Sequence, residues 1–107
     1  MRVIGDIATV RSKNAGPFVL TIDVFCHKAA TYTLLRHFLT TGTVATTLGC
    51  DGNAVTKFTL PDLHVIKFSL PRPIIQGCPA DRDMHGAQFS NLIAELALPE
   101  DANLPAQ

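Results

Sequence analysis

Residues 18–25, Phe-Val-Leu-Thr-Ile-Asp-Val-Phe, constrain the fold more than any other stretch. Phe18, Leu20, Ile22 and Val24 alternate with Val19, Thr21, Asp23 and Phe25, a period of two with one wholly apolar face. A strand of this kind needs neighbours to share its backbone hydrogen bonds and a second layer to cover its apolar side. Asp23 falls on the more polar face, either as a solvated or partnered strand residue or as a carboxylate in a site.

The rest of the chain supplies those neighbours. Val3 to Val10 is apolar and broken by Gly5 and Asp6, which suits a short edge element or one helical turn. Ala29 to Thr40 reads as a helix with Ala30, Leu34 and Phe38 on one side and Leu35 and Leu39 beside them. Thr40-Thr41-Gly42 stops it; Thr43 is a good N-cap for a short helix Val44 to Leu48, which Gly49 ends. Cys50-Asp51-Gly52-Asn53 is turn chemistry. Ala54 to Leu60 and Leu63 to Leu70 read as strands, and the short link through Pro61-Asp62 predicts an antiparallel hairpin. Residues 71–90 show no period, the mark of a functional loop or a missed element. Leu92, Ala94, Leu96 and Leu98 alternate with Ile93, Glu95 and Ala97, which predicts a last strand ended by Pro99; residues 100–107 read as a loose tail. The expected architecture is α+β: an antiparallel or mixed sheet with helices on one face. It is close to the split βαβ, ferredoxin-like plan, with a long loop before the last strand.

The 107 residues favour one domain, spanning 1–99, with enough apolar content to form a core without disulfides or metal. Nine basic residues balance nine acidic ones, so no basic field is present to collect nucleic acid or anionic lipid. No apolar run reaches membrane-spanning length. Cys26, Cys50 and Cys78 stand far apart, without a CxxC pair or a secretory leader, and this points to a reducing cytoplasm.

Two stretches concentrate polar chemistry. Arg11-Ser12-Lys13-Asn14-Ala15-Gly16-Pro17 precedes the first strong strand. Arg offers a planar fork and Lys a point charge, while Asn, Gly and Pro favour a turn whose N–H groups converge on an anion. The same composition suits a plain loop with solvated charges. The long connection carries Arg72, Asp81, Arg82, Asp83, His85 and Gln88. In an extended chain Asp81, Asp83 and His85 point one way, a set that suits a divalent metal or proton transfer by His85 beside a carboxylate; a solvated polar loop with Asx turns is the remaining reading. No zinc-like spacing and no glycine-rich nucleotide loop is present, so neither a metal nor a cofactor is expected. His64 reads as a core or interface residue, His27 and His37 as helix-surface residues, and Cys26 and Cys50 as small apolar packers.

Several stretches together resemble a known family. Arg11 to Phe18, Pro71-Arg72-Pro73 and Gly86-Ala87-Gln88 resemble a small stand-alone family of uncharacterised domains. That family is similar to the C-terminal ferredoxin-like domain of the acyclic terpene utilisation (AtuA-like) proteins. The shared points are the basic-Ser stretch that runs from Arg11-Ser12 to Gly16, Tyr32-Thr33-Leu34-Leu35-Arg36, Lys57-Phe58-Thr59-Leu60-Pro61-Asp62-Leu63 and a Leu-rich end. The large N-terminal domain of the AtuA-like proteins has no counterpart in this sequence. The resemblance implies a small subunit that pairs with a larger, separately encoded AtuA-like subunit. The pair is expected to be a hydratase or lyase for a small carboxylic acid or acyl-CoA thioester. On this reading Arg11, Ser12, Lys13, Asn14, Gly16, Arg72 and Gln88 bind the substrate anion, and His85 and Asp83 carry the proton chemistry. The alternative is a non-catalytic assembly or dimerisation module of a larger enzyme.

Overall fold

Alternation decides the central strands, and register decides the rest. The computed structural model describes residues 2–16, 18–71 and 89–98. A 3-10 turn, Ile4–Asp6, leads into β1, Thr9–Asn14, and β2, Val19–Phe25. Two helices follow, α1, Ala29–Phe38, and α2, Thr41–Leu48. After a 3-10 turn at Gly52–Ala54 come β3, Thr56–Leu60, a 3-10 turn at Pro61–Leu63, and β4, Val65–Pro71. The last described element is α3, Phe89–Ala94. The four strands form one antiparallel sheet in the order β1-β2-β4-β3.

The inward face is the one the period of two predicts. Leu20, Ile22 and Val24 of β2 and Ile66, Phe68 and Leu70 of β4 are buried. They join Leu35, Leu39, Val44, Leu48 and Ile93 from the helices in one core. Lys57, on the inward side of β3, donates from Nζ to the Arg36 and Leu39 carbonyls at 2.6 and 2.7 Å. Those carbonyls, at the end of α1, lack intrahelical partners, so the ammonium fastens the helix to the sheet. The hairpin of β3 and β4 and the α+β class follow the sequence pattern.

Four expectations need correction. Arg11 to Asn14 form a strand, because this edge pairs in register with β2 from Thr9↔Phe25 to Asn14↔Leu20. The turn is confined to the residues after it, where Ala15 N–H donates to the Val19 carbonyl at 2.9 Å and Gly16 takes φ +98°. The segment expected as a last strand is instead α3 followed by a single antiparallel bridge, Val3↔Ala97. The place beside β2 is already taken by β1, so the C-terminal part packs as a helix whose Ile93 is buried. A short apolar alternation does not distinguish these outcomes.

The buried side of α1 is Thr31, Tyr32 and Leu35, continued by Leu39, while Ala30 is exposed. The helix is therefore turned by about one residue from the expected stripe. Finally, α2 is capped by Thr40, whose hydroxyl accepts from Thr43 N–H at 3.1 Å; Thr43 lies inside the helix. Gly49 ends α2 as expected, at φ +75°. The expectations for the 100–107 tail and for the long connection at 72–88 fall outside the described residues.

Candidate functional site

Because β1 is a strand, its side chains divide between two faces. Arg11 and Lys13 are exposed on the outward face, while Ser12 and Asn14 are half-buried on the inward one. The proposed anion-binding set is therefore split. Ser12 Oγ accepts from Ser90 N–H, at the start of α3, at 2.8 Å. Its hydroxyl holds α3 against β1 across 78 positions of sequence. The backbone N–H groups of residues 11–14 belong to a β-strand, and no converging loop of N–H donors forms there. Gly16 occupies the turn that joins β1 to β2, where its left-handed φ is a conformational requirement. Arg72, Asp83, His85 and Gln88 lie outside the described residues.

What the sheet does assemble is a row of charge across its outward face. Arg11 is in register with Asp23, and Asp23 with Lys67. Lys13 stands two positions along from Arg11, opposite Thr21. Neighbouring strands lie about 4.8 Å apart, so Asp23 sits between two cations and Lys13 adds a third beside them. Three cations face one carboxylate, leaving the patch net positive. Arg11, Ser12, Lys13, Asp23 and Phe25 line a hollow of about 290 Å³ at this edge.

The chemistry available here is binding of an anion. An exposed cation about 4 Å from an anion contributes about 1 kcal/mol in bulk water and about 4 kcal/mol where the effective permittivity falls to about 20. By that scale, exposed charges of this kind attract a carboxylate weakly, and a surface that excludes water over them makes the attraction several times stronger. A larger hollow of about 490 Å³ is lined by Thr40, Gly42, Thr43, Thr46 and Thr47, with no titratable group among them.

The remaining titratable groups lead elsewhere. Burial pushes the Cys26 thiol up to about 11, against the nucleophilic thiolate state. The Cys50 thiol is also raised, by burial and then by Asp51, against a smaller lowering by a backbone hydrogen bond. Among the described residues no group of three or more His, Cys, Asp or Glu could hold a metal ion. His27 and His64 both adopt left-handed backbones, at φ 66° and 53°. His27 precedes α1 and its Nε2 lies 3.0 Å from Thr9 Oγ1. His64 closes the β3–β4 hairpin, and its ring lies 5.9 Å from that of Tyr32. The sequence pattern placed neither residue correctly, since a left-handed histidine carries no periodic signal. Lys67 was legible as an outward residue, but its place beside Asp23 depends on a register that only the assembled sheet sets.

The described residues define a small α+β domain, an antiparallel sheet covered by helices on one face and bearing a cationic row on the other. No helix among them is long and apolar enough to cross a membrane. The chain belongs to the family described as domain of unknown function DUF4387, which matches residues 4–97. No curated protein and no solved structure matches it.

Proposed function

We propose that this chain is the small, cytoplasmic subunit of a two-component enzyme resembling the AtuA-like proteins. Its partner is a larger AtuA-like subunit, and the pair acts as a hydratase or lyase on a small carboxylic acid or acyl-CoA thioester. The observation that carries the binding role is the outward row of Arg11, Asp23 and Lys67 with Lys13 beside it. The reaction class and the partner rest on the sequence resemblance.

In this reading Arg11 donates a paired fork to the substrate carboxylate or phosphate and Lys13 adds a point charge. Ser12 is a positioning residue, through its bond to the start of α3. His85 and Asp83 carry the proposed proton transfer. The described residues that flank them in sequence, Pro71 and Ser90, are both held to the sheet that carries the cations. Pro71 pairs with Val19 of β2, and Ser90 is bonded to Ser12 of β1. The large subunit supplies the surface that excludes water over the patch, which is why the small chain alone is expected to bind substrate weakly.

The test is co-expression with a long AtuA-like subunit that lacks its own C-terminal domain, followed by co-purification and assay with small acids and CoA thioesters. Arg11→Ala and Lys13→Ala are expected to leave the complex intact and raise KM at least tenfold each. A chain that ignores such a subunit, or a complex whose activity survives both substitutions, contradicts the proposal. Retained assembly with no activity in any variant favours the non-catalytic assembly role instead.

A further inference from the structure

We propose that two copies of this chain associate through β3, by antiparallel pairing of one β3 with the other. The two edges of the sheet are unlike. At the β1 edge, the N-terminal 3-10 turn and α3 pack against the strand, and Ser12 is bonded to α3. β3, at the other edge, is exposed at four of its five positions, Lys57 being the half-buried one.

Edge strands are ordinarily guarded against pairing by proline, a bulge, or charge. β3 has no proline, and its register with β4 runs unbroken from Thr56↔Ser69 to Leu60↔Val65. Its single charge, Lys57, has its ammonium engaged by two carbonyls of its own chain. What β3 and the adjoining turn present instead is apolar. Phe58 is 47% exposed, Leu60 40% and Leu63 69%.

The occupant that fits is a second copy. A two-fold axis normal to the sheet at Phe58 generates antiparallel pairing and closes the assembly at two. It sets Phe58 against its own copy, Thr56 against Leu60 and Lys57 against Thr59. No like charges meet across the strands, and the uncharged balance of the chain adds no general repulsion between copies. The result is a continuous sheet with β1 at each outer edge, so Arg11 and Lys13 stay far from the axis, while Lys67, the partner of Phe58 on β4, flanks it on the outward face. The contact is smaller than the roughly 800 Å² per partner of a standard interface, so association is concentration-dependent.

Sedimentation equilibrium of the full chain, over a concentration series to about 1 mM, reads this directly. The average mass is expected to rise toward twice the chain mass. Phe58→Lys and Leu60→Lys, both at exposed positions, are expected to weaken the association at least tenfold with an unchanged far-UV circular dichroism spectrum. In the unsubstituted chain, amide exchange of residues 56–60 is expected to slow as concentration rises. A chain that stays monomeric across the series overturns the proposal. So does a dimer that both lysine variants leave undisturbed, or one that forms without protecting β3. Because Arg11 and Lys13 lie on β1, at the opposite edge of the sheet from β3, loss of the proposed binding role leaves this contact standing, and the reverse.

Discussion

Lys57 shows what a single side chain settles in this fold. It sits on an edge strand, yet its ammonium donates to two carbonyls at the end of α1, 2.6 and 2.7 Å away. Burial, and then the nearby Arg36, lowers its pKa. Hydrogen bonds to a charged group each contribute about 1.5–3 kcal/mol, and the outer position of one of them argues for the low end. Lys57→Met keeps the stem and removes the donors; urea denaturation is expected to show a loss of about 1–3 kcal/mol. An unchanged midpoint would mean that water replaces the ammonium at no cost. The role was not legible in the sequence, because the two acceptors lie 18 and 21 positions earlier. Arg11 and Lys13 were legible as paired cations. Their division from Ser12 and Asn14 was not, since a stretch of Arg, Ser, Lys and Asn has no apolar alternation to reveal a strand.

Among elements, α2 buries Val44, Ala45 and Leu48 in the core, and its two ends are fixed by caps rather than by charge. It has no acidic residue in its first turn and no basic residue in its last. Thr40 accepts from Thr43 N–H at one end, and Gly49 turns the chain left-handed at the other. Thr40→Ala is expected to cost about 1 kcal/mol. Gly49→Ala is expected to cost about 1–2 kcal/mol. No atom lies within 4 Å of where the new Cβ would stand, so the second cost is purely conformational. Thermal unfolding of the two variants checks both values, and a Gly49→Ala protein as stable as the parent would show that α2 ends differently in solution.

The elements read correctly from sequence, β2 and the β3–β4 hairpin, carry their signal within a few residues: alternation, then Pro-Asp, then alternation. β1 and α3 were misread because each depends on the other. β1 takes the place that a last strand would need, and Ser12 bonds the start of α3. Neither fact is local.

At the scale of the whole molecule, the buried thiol makes stability depend on alkaline pH. Cys26 has no exposed surface, and burial pushes its pKa up to about 11 from a reference of 9.0. Between those values the unfolded chain has released its proton while the folded chain retains it, so stability falls as pH rises. The contribution is complete below pH 9 and is lost as the pH passes through about 11, about 3 kcal/mol at most. Cys50, also raised, acts in the same direction. Lys57 acts in the opposite one. Its lowered folded pKa means the unfolded chain binds more protons just below 10.5, which raises stability with pH in that window. The net slope therefore identifies the dominant group. Urea midpoints between pH 8 and 11 are expected to fall for the parent chain. For Cys26→Ala, less stable at neutral pH through lost packing, the fall is expected to flatten or reverse. An equal slope in both proteins would place the alkaline loss on some other group and show that this core position is open to solvent.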